Sequence, residues 1–262
     1  MNTMKTQLLL PLLAAILVFG CTPRRPGNIN AEQAHNPAAQ HLIAPGFGTV
    51  GVIQDGIISI WFQGEDLGWQ VDEQSRFSIP ENNEGVLAMG LGIFGVVMNN
   101  SLHFYSINDQ NEWEEEEHLR FDLPRRYDRL TAMRMPWQMG GIGIEHGGAV
   151  EFYFLEDDQW EQDDAASFVI PSDIRAYYPM GEMTIAIADE EKLGLYYFAE
   201  GEWDFMDHDP FVLSLPENHQ GIIPMDDRYI GILDEEKIDF YQLDLDNDRW
   251  VTLTGLHFEL PR

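Results

Sequence analysis

The sequence is short of two residue types, and their scarcity limits how the protein is held together and what it binds. Cys21 is the only cysteine among 262 residues, and lysine occurs only at Lys5, Lys192 and Lys237. Disulfides need cysteines in pairs, so the fold must depend on its apolar core. The formal net charge is −30, because 45 acidic residues outnumber 15 lysines and arginines. Such a surface argues against binding to nucleic acid or to anionic lipid headgroups.

Long apolar runs are also missing. The longest begins at Leu8, ends at Phe19 and follows the positive charge of Lys5. A transmembrane helix needs about 20 apolar residues, whereas a shorter run behind a positive start is typical of a signal peptide. Residues 1–20 are therefore predicted to be a signal peptide.

The apolar run ends in Val18-Phe19-Gly20-Cys21. This resembles the bacterial lipoprotein signal, in which the cysteine after a small residue is acylated and becomes the new amino terminus; Phe19 is bulkier than is usual there. The resemblance implies that Cys21 carries several acyl chains, such as palmitate, which give stable attachment to a bilayer. The alternative is an ordinary signal peptide in which the position of the cysteine is coincidental.

The residue after the cysteine bears on localisation. In the enterobacterial sorting rule an Asp at that position retains a lipoprotein at the inner membrane, and here the residue is Thr22. The resemblance therefore implies the outer membrane, with the protein in the periplasm or facing outward. Residues 21–40, rich in Pro, Asn, Ala and Gln, are predicted to be a flexible tether.

Three residue columns recur through the rest of the chain with a period of about 45 residues. The tryptophan column is Trp69, Trp113, Trp160, Trp203 and Trp250; the proline column is Pro80, Pro124, Pro171, Pro216 and Pro261; the methionine column is Met89, Met133, Met180 and Met225, with Pro45 in the first slot. Three columns at one period indicate internal duplication, with repeats at about 41–84, 85–128, 129–175, 176–220 and 221–262.

Each repeat has the pattern of four antiparallel strands. The second strand carries a central small residue, and a polar turn such as Asp55-Gly56 separates it from a third strand with two large residues. Counting back from the turns places Gly51 opposite Ile60, Gly95 opposite Phe104, Gly143 opposite Phe152 and Gly231 opposite Phe240. In the fourth repeat the pair Tyr196-Tyr197 is one residue out of step, which predicts a bulge or a three-residue turn.

Four antiparallel strands in every repeat resemble the blades of a β-propeller, as in WD-repeat and kelch-repeat proteins. The resemblance covers residues 41–262 and is architectural, because the Gly-His and Trp-Asp signatures of WD repeats are absent. It implies an all-β, five-bladed propeller. The rival architecture is a solenoid of stacked sheets, but no repeat has the character of a cap.

The aromatic and methionine columns have two interpretations each. Aromatic faces could bind sugars, one site in every blade, as in a multi-site lectin, but residues at fixed strand positions favour packing between blades. A methionine ring could hold a soft metal, but packing is favoured again. Asp244, Asp246 and Asp248 resemble the start of a calcium loop, yet Arg249 stands where such a loop needs glycine. We therefore expect no metal and no cofactor.

The only basic cluster consists of five arginines within fifteen residues: Arg120, Arg125, Arg126, Arg129 and Arg134. It falls near the junction of the second and third repeats, where a propeller has an exposed loop. Arginine suits planar, bidentate contact with carboxylate or phosphate groups. The cluster is therefore the candidate site for an acidic envelope protein or an anionic glycan, the alternative being local charge balance.

No sequence motif identifies a catalytic residue, so the catalytic residues stay unknown. The sequence favours a non-enzymatic binding or scaffolding module in the cell envelope, bound to the lipid bilayer through Cys21. One alternative is a glycan-processing hydrolase, which would need a pair of carboxylates in the central cavity. The other is the lectin described above.

Overall fold

The computed structural model describes residues 42–261, apart from 65–67, 136–137, 182, 207–210 and 235–236. Cys21, the signal peptide and the tether lie outside the described residues. The described chain forms five antiparallel sheets, each built from strands that are consecutive in the sequence. Among these residues no helix is long and apolar enough to span a bilayer.

The five sheets are the blades of the propeller. Blade 1 contains β1 (Leu42–Ile43), β2 (Thr49–Gln54), β3 (Ile57–Gln63) and β4 (Trp69–Ser78). Blade 2 contains β5 (Gly85–Gly90), β6 (Ile93–Met98), β7 (Ser101–Ile107), β8 (Trp113–Glu115) and β9 (Phe121–Asp122). Blade 3 contains β10 (Arg129–Met135), β11 (Gln138–His146), β12 (Ala149–Glu156) and β13 (Gln159–Val169). Blade 4 contains β14 (Ala176–Pro179), β15 (Thr184–Ala188), β16 (Lys192–Ala199), β17 (Glu202–Phe205) and β18 (Leu213–Ser214). Blade 5 contains β19 (Gly221–Pro224), β20 (Tyr229–Asp234), β21 (Lys237–Asp244) and β22 (Arg249–Glu259).

In blades 1, 2, 3 and 5 the second and third strands pair in the predicted register. Gly51 lies opposite Ile60, Gly95 opposite Phe104, Gly143 opposite Phe152 and Gly231 opposite Phe240. The turn at Asp55-Gly56 has positive φ at both residues, 51° and 76°, as a two-residue hairpin turn requires. The predicted pairing is therefore confirmed in these four hairpins.

The bulge predicted in the fourth hairpin is wrong. Ala186 lies opposite Leu195, and Asp189 donates its amide hydrogen to the Lys192 carbonyl, so this turn has two residues like the others. The buried slot that holds phenylalanine in blades 2, 3 and 5 and Ile60 in blade 1 is filled here by Leu195, which is 1% exposed. The sequence predicted the wrong register because Tyr196 and Tyr197, which follow Leu195, look like the pair of large residues found in the other repeats.

The outermost strand of each blade is its least regular part. It slips register against the third strand in blades 1, 3 and 5. In blade 2 it is divided into β8 and β9, with a single 3-10 turn at Glu117–Leu119 between them, and in blade 4 into β17 and β18.

The core lies between neighbouring blades. It consists of five apolar clusters, and each one joins two adjacent sheets. One cluster packs Leu42 and Val50 of blade 1 against Leu233 and Phe240 of blade 5, so the last blade meets the first. The sheets form a closed ring, and the solenoid is excluded.

Candidate functional site

One face of the ring carries the loops that join successive blades, together with the turns between second and third strands. In four blades the first loop residue donates its amide hydrogen to a carbonyl of its own blade's turn: Ile79 to Gly56, Leu123 to Asn100, Ile170 to Gly148 and Leu215 to Glu191. We call this face the loop face and the other, with the remaining turns, the turn face. The loop after blade 2 lies on the loop face and contains two of the predicted arginines.

Tyr127 fixes the conformation of that loop. Its side chain is 7% exposed and packs in the cluster between blades 2 and 3. Burial raises the pKa of its hydroxyl, and the charge of Glu84 raises it further. Tyr127 is held in the core, and the two residues that precede it, Arg125 and Arg126, are exposed to solvent. The sequence reasoning missed this anchor, although an aromatic residue beside two arginines was visible.

The two arginines stand out when the four blade-joining loops are aligned on their proline. After Pro124 the next residues are Arg125-Arg126, whereas the matched pairs in the other loops are Glu81-Asn82, Ser172-Asp173 and Glu217-Asn218. Of these four pairs, only the one after blade 2 is positively charged. The repeats themselves therefore supply the comparison that marks this loop as different.

Arg120 belongs to the same face. Its guanidinium donates a hydrogen bond of 2.9 Å to the Ser101 hydroxyl, beside the turn of blade 2, and lies 3.7 Å from the Asp122 carboxylate. Its side chain is exposed, and the neighbouring Asp122 carboxylate offsets part of its charge.

Arg129 is held by its neighbours instead. Its guanidinium donates to the backbone carbonyl of Tyr177 at 2.9 Å and stacks over the ring of that tyrosine, 4.1 Å from its centre. The Tyr177 hydroxyl is buried and donates to the Glu145 carboxylate at 2.8 Å, and burial raises its pKa well above the usual range. Arg129 thus joins blade 3 to blade 4.

Arg134 does not belong to the exposed set. It is 4% exposed and lies near the turn-face end of β10, where its amide donates to the Met180 carbonyl. It lies five positions along the strand from Arg129, a distance of roughly 16 Å. A cluster in the sequence is divided here because β10 runs from one face of the ring to the other.

The tryptophan column joins the blades. Each of the five indoles is half-buried, and its nitrogen donates a hydrogen bond to a backbone carbonyl of the preceding blade. The pairs are Trp69 with His257, Trp113 with Ser75, Trp160 with Leu119, Trp203 with Ala166 and Trp250 with Phe211, at 2.7, 3.3, 2.7, 3.0 and 2.9 Å. The lectin alternative needs exposed aromatic columns and is not supported.

The methionine column is distributed among the blade interfaces. Met89, Met133, Met180 and Met225 are each at most 1% exposed, and each lies in a different apolar cluster. The four side chains therefore pack in four different blade interfaces.

One pair of carboxyl groups lies at the turn after Met225. The Asp226 pKa is raised to about 6 by burial, opposed by a hydrogen bond from the Arg228 amide and reinforced by the adjacent Asp227 carboxyl, which is in hydrogen-bond contact with it. A glycosidase separates its two carboxyl groups by about 5 Å or more. This pair is closer than that, so it does not supply the geometry of the hydrolase alternative.

The acidic turn of blade 5 is held by its own hydrogen bonds. The Asp244 carboxylate accepts from the amides of Asp246 and Asn247 and from the Asn247 side chain. Within the described ranges no group of three or more His, Cys, Asp or Glu side chains is placed to hold a metal ion.

Comparisons with known proteins give no family. No family model matches the chain, and no curated protein matches it either. Among solved structures, Hsv2 of Kluyvelomyces marxianus is 11% identical with a TM-score of 0.39, over 82% of this chain and 83% of its own. The WD40 domain of SCAP from fission yeast is 12% identical with a TM-score of 0.40, over 89% of this chain and 59% of its own. A Bacteroides uniformis protein provisionally described as a 6-phosphogluconolactonase is 9% identical with a TM-score of 0.41, over 84% of this chain and 70% of its own. Similarity at this distance says nothing of what this chain binds.

Proposed function

We propose that the protein is a non-enzymatic binding module of the cell envelope, attached to a bilayer through Cys21, whose loop face captures an acidic partner with Arg125 and Arg126. The propeller fold supports a binding or scaffolding role, because blades that repeat the same contacts leave their loops free to vary.

The observation that carries the proposal is the charge at matched positions. The loops after blades 1 and 4 place Glu and Asn directly after the proline, and the loop after blade 2 places two arginines there. Both arginines are exposed on a protein of net charge −30, where acidic residues are three times as frequent as basic ones. Exposed arginine pairs suit carboxylate or phosphate groups, which they bind in bidentate fashion.

The position of the first strand adds a spatial argument. β1 begins at Leu42 on the loop face, so the predicted tether, residues 21–40, would join the propeller on the face that carries Arg125 and Arg126. A flexible segment of twenty residues has a root-mean-square length of about 25 Å. A partner bound by this face would therefore sit near the membrane surface, which favours an acidic envelope protein or an anionic glycan.

The test is capture from detergent-solubilised envelopes by the immobilised full-length lipoprotein. The variant R125E/R126N gives this loop the Pro-Glu-Asn sequence that blades 1 and 4 already use, so its fold should be preserved. We expect it to lose the captured partner, and the wild type to release it as salt is raised, because exposed charges are screened over about 10 Å at 0.1 M. Digesting the envelopes with a protease or with glycan-degrading enzymes distinguishes protein from glycan.

The matched control is R76E/R175N, which changes the net charge by the same amount at two exposed arginines elsewhere on the ring. It should keep the partner. Retention of every partner by R125E/R126N, or equal loss in both variants, would show that the arginine pair is not the binding site.

The anchor is tested separately with Cys21→Ser. This variant should lose metabolic labelling with palmitate and leave the membrane fraction. Separating the inner and outer membranes of cells that make the wild-type protein then tests the outer-membrane assignment. A Cys21→Ser protein that stays membrane-bound as before contradicts the anchor while leaving the arginine site intact.

A further inference from the structure

A groove on the turn face separates blades 4 and 5. Its volume is about 210 Å³, and eight residues line it: Thr184, Leu195, Tyr197, Met206, Asp227, Arg228, Leu243 and Leu245. Leu195 and Leu243 form a buried floor, while Tyr197 and Leu245 are 43% and 44% exposed at its mouth. Two large apolar side chains are thus kept partly in water beside a concave surface.

The polar groups of the groove lie together at one end. The Arg228 guanidinium donates to the Asp227 carboxylate at 3.0 Å, and Asp226, next in the chain, is in hydrogen-bond contact with Asp227. The Asp227 side chain is 18% exposed and that of Arg228 is 48% exposed. The guanidinium pairs with Asp227 alone, while Asp226 accepts a hydrogen bond from the Arg228 backbone amide. Two carboxyl groups and one guanidinium therefore lie at this turn, which gives this end of the groove an excess of negative charge.

We propose that this groove is a binding site for a small organic cation, an amine joined to one aromatic ring or a short apolar chain. The apolar part lies on Leu195, Leu243 and Leu245, and the ammonium group lies between the Asp227 carboxylate and the face of Tyr197. This site goes beyond the function proposed above, since it lies on the opposite face of the ring and uses none of the same residues.

Charge complementarity selects the cation. An anion would meet the Asp227 carboxylate in the lining, with the Asp226 carboxyl next to it, and only one guanidinium, which is already engaged with Asp227. An ammonium group gains a carboxylate partner, and an exposed tyrosine ring attracts cations through its quadrupole. The field of a protein with net charge −30 also concentrates cations near its surface.

Size limits the ligand. Pockets for drug-sized molecules measure about 300–1,000 Å³, and this groove is smaller. One ring with a short side chain fills it, and a larger molecule would extend out past Tyr197 and Leu245.

The test uses three probes of similar shape and different charge: phenethylamine, phenethyl alcohol and hydrocinnamate. Binding to the intact propeller is measured by ligand-observed NMR and by calorimetric titration at low salt. We expect phenethylamine to bind about tenfold more tightly than the alcohol, in line with a hydrogen bond to a charged group, and hydrocinnamate to bind least.

Three variants locate the site. Tyr197→Ala should weaken the binding of phenethylamine about threefold, because the ring face is lost. Asp227→Asn should weaken it about tenfold, because the carboxylate charge is lost. Leu91→Ser, at a 64% exposed leucine on the turn face of blade 2, is the matched control and should change nothing. Equal binding of the three probes, no binding of the amine, or equal effects of Tyr197→Ala and Leu91→Ser would each overturn the proposal. Tyr197 is exposed, so its variant stays informative if Asp227→Asn unfolds.

Discussion

The indole nitrogen of Trp69 lies 2.7 Å from the backbone carbonyl oxygen of His257, 188 residues later in the chain. The same hydrogen bond joins each of the other four tryptophans of the column to the blade before it, across 37 to 41 residues. The interface that closes the ring is therefore built like the four that follow the order of the chain.

Replacing these tryptophans by phenylalanine tests that equivalence. Trp69→Phe and Trp160→Phe keep an aromatic ring at the interface and remove the N–H donor, so each should lower the free energy of unfolding by about 1 kcal/mol. Trp160→Ala, which also loses the ring, should cost about 3 kcal/mol or more. Urea unfolding followed by circular dichroism measures all three. If Trp69→Phe left stability unchanged while Trp160→Phe did not, the ring closure would be weaker than the other interfaces.

The glycine of the second strand is required by its cross-strand neighbours. A Cβ at Gly231 would lie 2.6 Å from the γ2 methyl of Ile238, so Gly231→Ala should destabilise the protein by about 1–3 kcal/mol. Blade 4 carries Ala186 and Leu193 at the two matched positions. The double variant G231A/I238L adopts that combination and should recover part of the loss in thermal unfolding. A double variant that is less stable than the sum of its single changes would contradict this account.

The arginines of the sequence cluster should fall into two groups according to how much their replacement lowers the stability of the protein. Arg129→Ala removes a hydrogen bond to the Tyr177 carbonyl and a cation–π contact, and should cost about 2 kcal/mol. R125E/R126N changes exposed side chains and should stay within about 0.5 kcal/mol of the wild type. Thermal and urea unfolding of the two variants side by side provide the measurement. Similar losses in both would mean that the exposed pair is structural as well.

The raised pKa of Asp226 predicts a specific pH dependence. The folded state binds this proton below about pH 6, whereas the unfolded chain binds it only below its ordinary value of 3.8. Stability should therefore rise as the pH falls from about 7 toward 4, because the folded state takes up a proton in that range. Asp226→Asn removes this proton, so the gain on acidification should be smaller by on the order of 1 kcal/mol. Parallel curves for the two proteins would show that Asp226 has an ordinary pKa.

The repeat pattern predicted the blades because packing in a propeller is periodic along the chain. Each glycine and its large partner occupy one hairpin, so the register of Gly143 with Phe152 follows from the turn between them. The pattern missed Leu195 as the residue opposite Ala186, because the two tyrosines after it match the paired large residues of the other repeats better than one leucine does.

The candidate sites were less predictable because they depend on contacts between blades. Nothing in the spacing of Arg129 and Arg134 shows that one packs on Tyr177 and the other lies near the opposite end of its strand. The groove between blades 4 and 5 brings Leu195 beside Arg228, and only the packing of two sheets creates it. The contrast at Arg125 and Arg126, however, was available once the repeats were aligned on proline.

Each blade is completed by its own consecutive strands, and blades 1 and 5 meet through side chains and the Trp69 hydrogen bond without sharing a strand. The order of blades around the ring is consequently independent of where the chain starts. β22 ends and β1 begins on the loop face, so a linker of the length that joins β4 to β5 would connect Glu259 to Leu42. A circular permutant opened before Gly85 would keep all five interfaces, so it should fold into the same ring.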